Sequence, residues 1–419
     1  MKTFFSTIFF LQFLFATLSF ANYSYSFLEL ENGNSFQTRT FTASKGGNLE
    51  VNISVGDIKV EAWDKNEVFV KVTADDEEDL DDLSISQDGN TIRVEFHPSF
   101  GWYNNIDVVV NIPNQFDVNL ETSGGDVQVG KGLRGNLKGS TSGGDIKLGD
   151  IGGTIDFSTS GGDIRAKDIQ GDVTLNTSGG EIIVGTISGE AKLNTSGGDI
   201  RVEKVGKNLE AQTAGGEIIV GDVGGEADLS TYGGDVRVGK VSGKAILSTA
   251  GGDVAMEGCT ESVKAKTAGG DIRLEGIAGQ IDAKTAAGDI VAEIVSSIKG
   301  KCRLATAMGD VRLFVPENAK LTVNARIKIR GWWRSRNDGN DIRSDFKAET
   351  YEEDEDEHEV RAMYKINGGG EPFAIETAMG NIEIRKSGNY NDEKMNDDLK
   401  KMKKELERVK KKKKKDDDE

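Results

Sequence analysis

Composition already removes several classes: 53 glycines against four prolines in 419 residues, without glycine at every third position, is not collagen. Regular Val, Ile and Leu argue against disorder, and a formal charge of −18 argues against a nucleic-acid partner, which needs a basic face. Turn-rich β structure is what remains.

Residues 1–21 read as a secretory leader, with Lys2, an apolar core from Phe4 to Phe20, and the small residues Ser19 and Ala21 before a cut near Asn22. No later apolar run is long enough to span a bilayer, so the mature chain is expected to carry no membrane span. The protein is therefore expected to be exported, whether periplasmic, surface-bound or secreted. Residues 26–119 form an N-terminal β region. Alternating segments such as Leu49–Ile53, Ile58–Ala62, Val68–Val72 and Ile92–Phe96 read as short strands.

The stretch 120–315 is periodic. Thr141, Thr159, Thr177, Thr195, Thr213, Thr231, Thr249, Thr267 and Thr285 recur every 18 residues, each opening a Thr-Ser/Ala/Tyr-Gly/Ala-Gly-Asp/Glu motif. A fixed period is the mark of a solenoid whose coils bury apolar faces only against their neighbours. Counting from the anchor acid, the apolar positions are +1, +3, +6, +10 and +12, which gives two short strands per coil with one face inward. The expected fold is all-β: a β-helix-like solenoid of 18-residue coils, an N-terminal β cap and a C-terminal insertion or cap.

Within the motif, Ala287, Met308 and Met379 replace the first glycine, while the second (Gly144, Gly162, Gly198, Gly288) does not vary between coils. This predicts a positive φ at the second position. Cys259 and Cys302 take inward slots two coils apart, about 9.6 Å along the axis, too far for a disulfide. Two buried free thiols are expected.

Position +2 points outward and alternates: Arg165, Ile183, Arg201, Ile219, Arg237, Ala255, Arg273, Val291. The unit is thus a 36-residue pair, which avoids stacking like charges on adjacent strands. It also leaves an apolar face at Ile183, Ile219 and Val291. With Arg201 and Arg237, this is the candidate partner face, for self-association or for a covering segment. Residues 316–372 read as an insertion capping the end or side of the rod, and 373–386 as a final repeat strand. Residues 387–419 read as a charged tail, disordered or helical between Asp392 and Lys410.

Four features together carry a resemblance: Gly47-Asn-Leu-Glu-Val51, Gly56-Asp-Ile-Lys-Val60-Glu-Ala-Trp63, the Thr-Ser-Gly-Gly-Asp-Ile ladder, and the closing Gly368-Gly-Gly370 with Ile375–Ile384. Over roughly 36–386 the chain resembles the bacterial DUF4097 family, often labelled "putative adhesin". The resemblance implies an exported, solenoid-like all-β protein of uncharacterised function.

The chemistry the residues suggest is sparse. One anchor acid per 18-residue coil does not fit the nine-residue calcium-binding β-roll; each carboxylate is expected to accept backbone N–H groups of its own turn. His97 and His358 are distant in sequence, which supports neither a zinc site nor a Ser-His-Asp arrangement. No cofactor is expected. The outward acids Asp156, Asp172, Glu190, Glu210 and Asp228 are broken by Thr174, Lys192 and Lys244, as on a solvated face. The aromatic groups Phe96–Tyr103 and Trp332-Trp333 offer faces on which sugars could stack, but they suit plugs for the solenoid's ends better. The preferred reading is a non-catalytic envelope or cell-surface scaffold, adhesin-like, with a protein or glycan partner. The alternative is a carbohydrate-active β-helix enzyme, a polysaccharide lyase or hydrolase, with its site in 316–372 or at 96–103.

Overall fold

The computed structural model is described for residues 27–31, 34–98, 106–328, 341–354, 358–387 and 400–411. The leader, the aromatic residues Trp102, Tyr103, Trp332 and Trp333, and the lysine run beyond 411 lie outside the described residues.

Each coil gives one strand to each of two sheets. Sheet A holds strands such as Ile182–Ile187, Ile200–Val205 and Ile218–Val223; sheet B holds Ala191–Asn194, Leu209–Gln212 and Ala227–Ser230. Pairing is parallel and in register at 18-residue steps: Ile182 meets Ile200, which meets Ile218, and Leu193 meets Ala211, which meets Leu229. The period is the register, because a one-residue slip would turn every inward side chain out. The coil from Asp199 shows the result: Ile200, Val202, Val205, Leu209, Ala211 and Thr213 are all buried. The fold is the all-β solenoid that the period predicts.

Both ends interleave their coils. At the start, Gly47–Ile53 and Gly56–Trp63 form a coil seated between that of Thr91–Phe96 with Ile106–Pro113 and that of Phe116–Thr122 with Val127–Val129. Asn34–Thr42, Glu67–Ala74 and Leu83–Asp88 then pair antiparallel over the outermost coil. At the other end, Glu371–Thr377 and Ile382–Lys386 lie directly on the coil of Cys302–Ala305 and Val311–Val315. Segment 316–372 is thus more than a lid. Its strands Leu321–Lys328 and Ile342–Ser344 add one more coil beyond 371–386, and Glu359–Ile366 with Thr350–Asp354 closes that coil antiparallel. The outermost strand, Thr350–Asp354, is exposed along its length and carries Glu352, Glu353 and Asp354, charges that oppose pairing with another strand.

Candidate interaction faces

The anchor threonine holds successive turns together. Thr195 Oγ1 donates to Gly180 O of the preceding coil at 2.9 Å and accepts the N–H of Gly198 in its own turn at 3.3 Å. The same pair of bonds recurs at Thr141, Thr159, Thr177, Thr213, Thr231, Thr249, Thr267 and Thr285. The second glycine is required for a different reason from the one expected. Positive φ occurs at this position only in the end coils among the described residues, at Gly56, Gly309 and Gly380. At Gly198 the constraint is close stacking: a Cβ there would lie 2.0 Å from Gly180 O and 2.4 Å from its carbonyl carbon. At Gly197 the nearest atom would be Gly179 O at 3.3 Å, which accounts for the tolerance seen at Ala287 and Met308.

The anchor carboxylates bond outside their own turn. Asp163 Oδ1 accepts the N–H of Glu181 in the next coil at 2.8 Å, and Asp199 Oδ1 accepts that of Glu217 at 2.7 Å. The other oxygen meets the +2 arginine of its own strand: Asp163 with Arg165 at 2.6 Å, Asp199 with Arg201 at 2.7 Å, Asp235 with Arg237 at 2.5 Å. Each arginine also reaches back to the preceding acid, Arg201 to Glu181 at 3.4 Å and Arg237 to Glu217 at 3.5 Å. One arginine serves two carboxylates, which is the physical content of the 36-residue unit. Both oxygens of these aspartates are thereby used in holding the column.

The face expected to be exposed is covered. Ile183, Ile219, Ala255 and Val291 keep 5%, 1%, 3% and 3% of their surface, yet they stand outside the solenoid's own core cluster. The tail, read as disordered or helical between Asp392 and Lys410, forms a helix at 400–411 that lies along sheet A. Met402 and Val409 are buried, Leu406 is half-buried, and Leu406 Cδ1 would be 3.6 Å from a Cβ at Gly221. Lys403 meets Glu257 at 3.4 Å, Glu405 meets Arg201 at 3.7 Å, and Lys410 meets Glu203 at 3.8 Å. The helix therefore runs back along the rod from the coil of Glu257 to that of Glu203. The signal for it was the apolar series Met402, Leu406 and Val409 at i, i+4 and i+7 within a charged run.

The outer face of sheet B forms a shallow groove of about 420 Å³ lined by Asp172, Thr174, Glu190, Lys192, Glu210, Asp228, Lys244 and Ile246 among others. Lys192 and Glu210 pair at 3.2 Å, and Glu210 and Asp228 are register neighbours. Burial, reinforced by Glu210, holds the Asp228 carboxyl above the usual range. The acids Asp172, Glu190, Glu210 and Asp228 are thus brought together in one concavity; Asp156 is not among the residues lining it. Ser54 Oγ lies 3.2 Å from His97 Nδ1, and Phe96 is buried. Cys259 and Cys302 are both buried and free, and burial pushes both thiols up.

A stacked two-sheet solenoid with interleaved end coils is the class of protein this defines. The chain belongs to the DUF4097 family, also called Toastrack, whose model matches residues 46–222 and 224–385. Similar solved structures include a "putative adhesin" from Parabacteroides merdae, at 14% identity over 62% of this chain and 96% of that one, with a TM-score of 0.29. A "putative lipid binding protein" from Parabacteroides distasonis matches at 14% identity over 68% and 98%, TM-score 0.27. A "putative cell adhesion protein" from Clostridium sporogenes matches at 11% identity over 87% and 99%, TM-score 0.17. None of the curated proteins matches the chain. Among the described residues, no helix is long and apolar enough to cross a membrane.

Proposed function

We propose that the protein is a non-catalytic scaffold of the cell envelope, exported by its leader, whose contact surface for a protein or glycan partner is the outer face of sheet B. The carrying observation is the contrast between the two outer faces. Over the coils of Glu203 to Glu257 sheet A carries the chain's own helix, while sheet B presents a groove of mixed charge. Across that groove, Thr174, Lys192, Glu210, Asp228 and Ile246 stand in consecutive register on strands about 4.8 Å apart. Such a ladder offers donors, acceptors and charges at fixed spacing, which suits an extended polar partner.

Binding of the full chain to isolated envelope fractions tests this reading. The double substitution Glu210→Gln with Asp228→Asn, which removes the acids without stacking lysines on adjacent strands, is expected to reduce retention at least ten-fold while the strand signal in circular dichroism persists. Undiminished retention would move the contact surface elsewhere. One observation favours the enzymatic alternative: Asp228 is held protonatable beside Glu210, as an acid and its partner would be in sugar hydrolysis. That reading requires sugar release from polysaccharides that is lost in Asp228→Asn; the scaffold reading requires none.

A further inference from the structure

We propose that the outer face of sheet A is a track for an amphipathic α-helix, and that helix 400–411 is an exchangeable occupant that seats equally on the track of a second copy of this chain. The proposal is independent of the sheet B reading.

The two-coil unit gauges the track. Ile219 and Ala255 are two coils apart, about 9.6 Å along the rod, with Arg237 between them. Met402 and Val409 are one heptad apart, about 10.5 Å along the helix. The two rises agree to about 1 Å, so the buried helix residues can both fall on apolar coils while the arginine coils pass between them. A slip of one coil would set both over arginines. The alternation at +2 therefore does two things: it shares each arginine between two anchor acids, and it spaces apolar slots for a helix.

Charge complementarity names the occupant. Lys403 and Lys410 meet Glu257 and Glu203 along the helix, and Glu405 reaches Arg201 on the strand of Glu203. The C-terminal helix of any copy carries this set of groups in this order. The connection is also longer than the seat on its own chain requires, so the chain does not force the helix onto its own track. From strand Ile382–Lys386 to the strand of Glu257 is four coil steps, about 19 Å. The segment 388–399 can span about 40 Å when extended. A helix this short is marginal in water by itself, so once released it gains by seating on a track again, its own or, as protein concentration approaches the effective concentration of the linked helix, that of a second copy.

Two full-length single variants test the exchange, Lys403→Cys and Glu257→Cys, both at exposed or edge positions of the paired surfaces. Each is mixed with the other over a range of concentrations and treated with a short bis-thiosulfonate cross-linker. Cys259 and Cys302 are buried, and the wild-type chain under the same treatment sets the background. The double variant on one chain is expected to link within the chain, which reports the seated helix. The mixture is expected to give a linked heterodimer that grows with concentration and is suppressed by excess of a peptide spanning 400–411. An intrachain link without any heterodimer would make the helix a fixed strap and overturn the exchange. Absence of the intrachain link would overturn the track itself.

Discussion

Replacing Gly198 by alanine separates two explanations of the invariant turn glycine. The added Cβ would stand 2.0 Å from Gly180 O, where ordinary contact begins near 3.4 Å, so adjacent coils must part locally by more than 1 Å. Overpacking of this kind costs about 1–3 kcal/mol. The same Gly180 carbonyl accepts the Thr195 hydroxyl at 2.9 Å, so parting the coils also weakens a buried hydrogen bond worth about 1 kcal/mol. A loss of about 2–4 kcal/mol is expected for Gly198→Ala. For Gly197→Ala, with its nearest atom at 3.3 Å, the neighbour yields by a few tenths of an ångström and the loss stays under about 0.5 kcal/mol. Urea unfolding followed by circular dichroism reads both. Gly198→Asn sharpens the test, since asparagine tolerates left-handed φ better than alanine but brings the same Cβ and more bulk. Close stacking predicts that Asn is at least as damaging as Ala; an Asn variant clearly milder than Ala would refute the stacking argument.

Other consequences follow from the same contacts. Thr231→Val keeps the shape but leaves Gly216 O without the hydroxyl donor and the Gly234 N–H without its acceptor; a loss of about 1–3 kcal/mol is expected in urea, with Thr231→Ser close to wild type. Met402→Asp with Val409→Asp removes two buried side chains from the sheet A face, each worth about 1.5–3 kcal/mol, so trypsin should cut within 400–411 much faster while the strand signal persists. Asp228 titrates with a raised folded-state pKa, so its ionisation opposes folding and its contribution is most favourable below the unfolded value. Asp228→Asn should therefore stabilise the chain at neutral pH, and the advantage should fade as pH falls through the raised value. Because the anchor aspartates spend one oxygen on the next coil's N–H and the other on arginine, millimolar calcium is expected to leave the melting temperature unmoved relative to chelator.

The local pattern carried the coil. An 18-residue period with apolar residues at +1, +3, +6, +10 and +12 specifies two strands, their inward faces and their register, because each coil's environment is a copy of its neighbours'. It also placed Cys259 and Cys302 in buried slots and marked the second glycine as irreplaceable. Three things waited on tertiary structure, all for the same reason: they depend on contacts between segments that the period does not relate. The strain at Gly198 arises from the carbonyl of the coil below, so a conformational cause could not be told from a steric one within a single turn. The order of the end coils, with 371–386 seated between 302–315 and 321–344, is a matter of which edge a returning strand finds. The helix on the face of Ile219 lies more than a hundred residues away in sequence, and its apolar heptad is too short to announce a partner until the two-coil spacing of sheet A is set beside it.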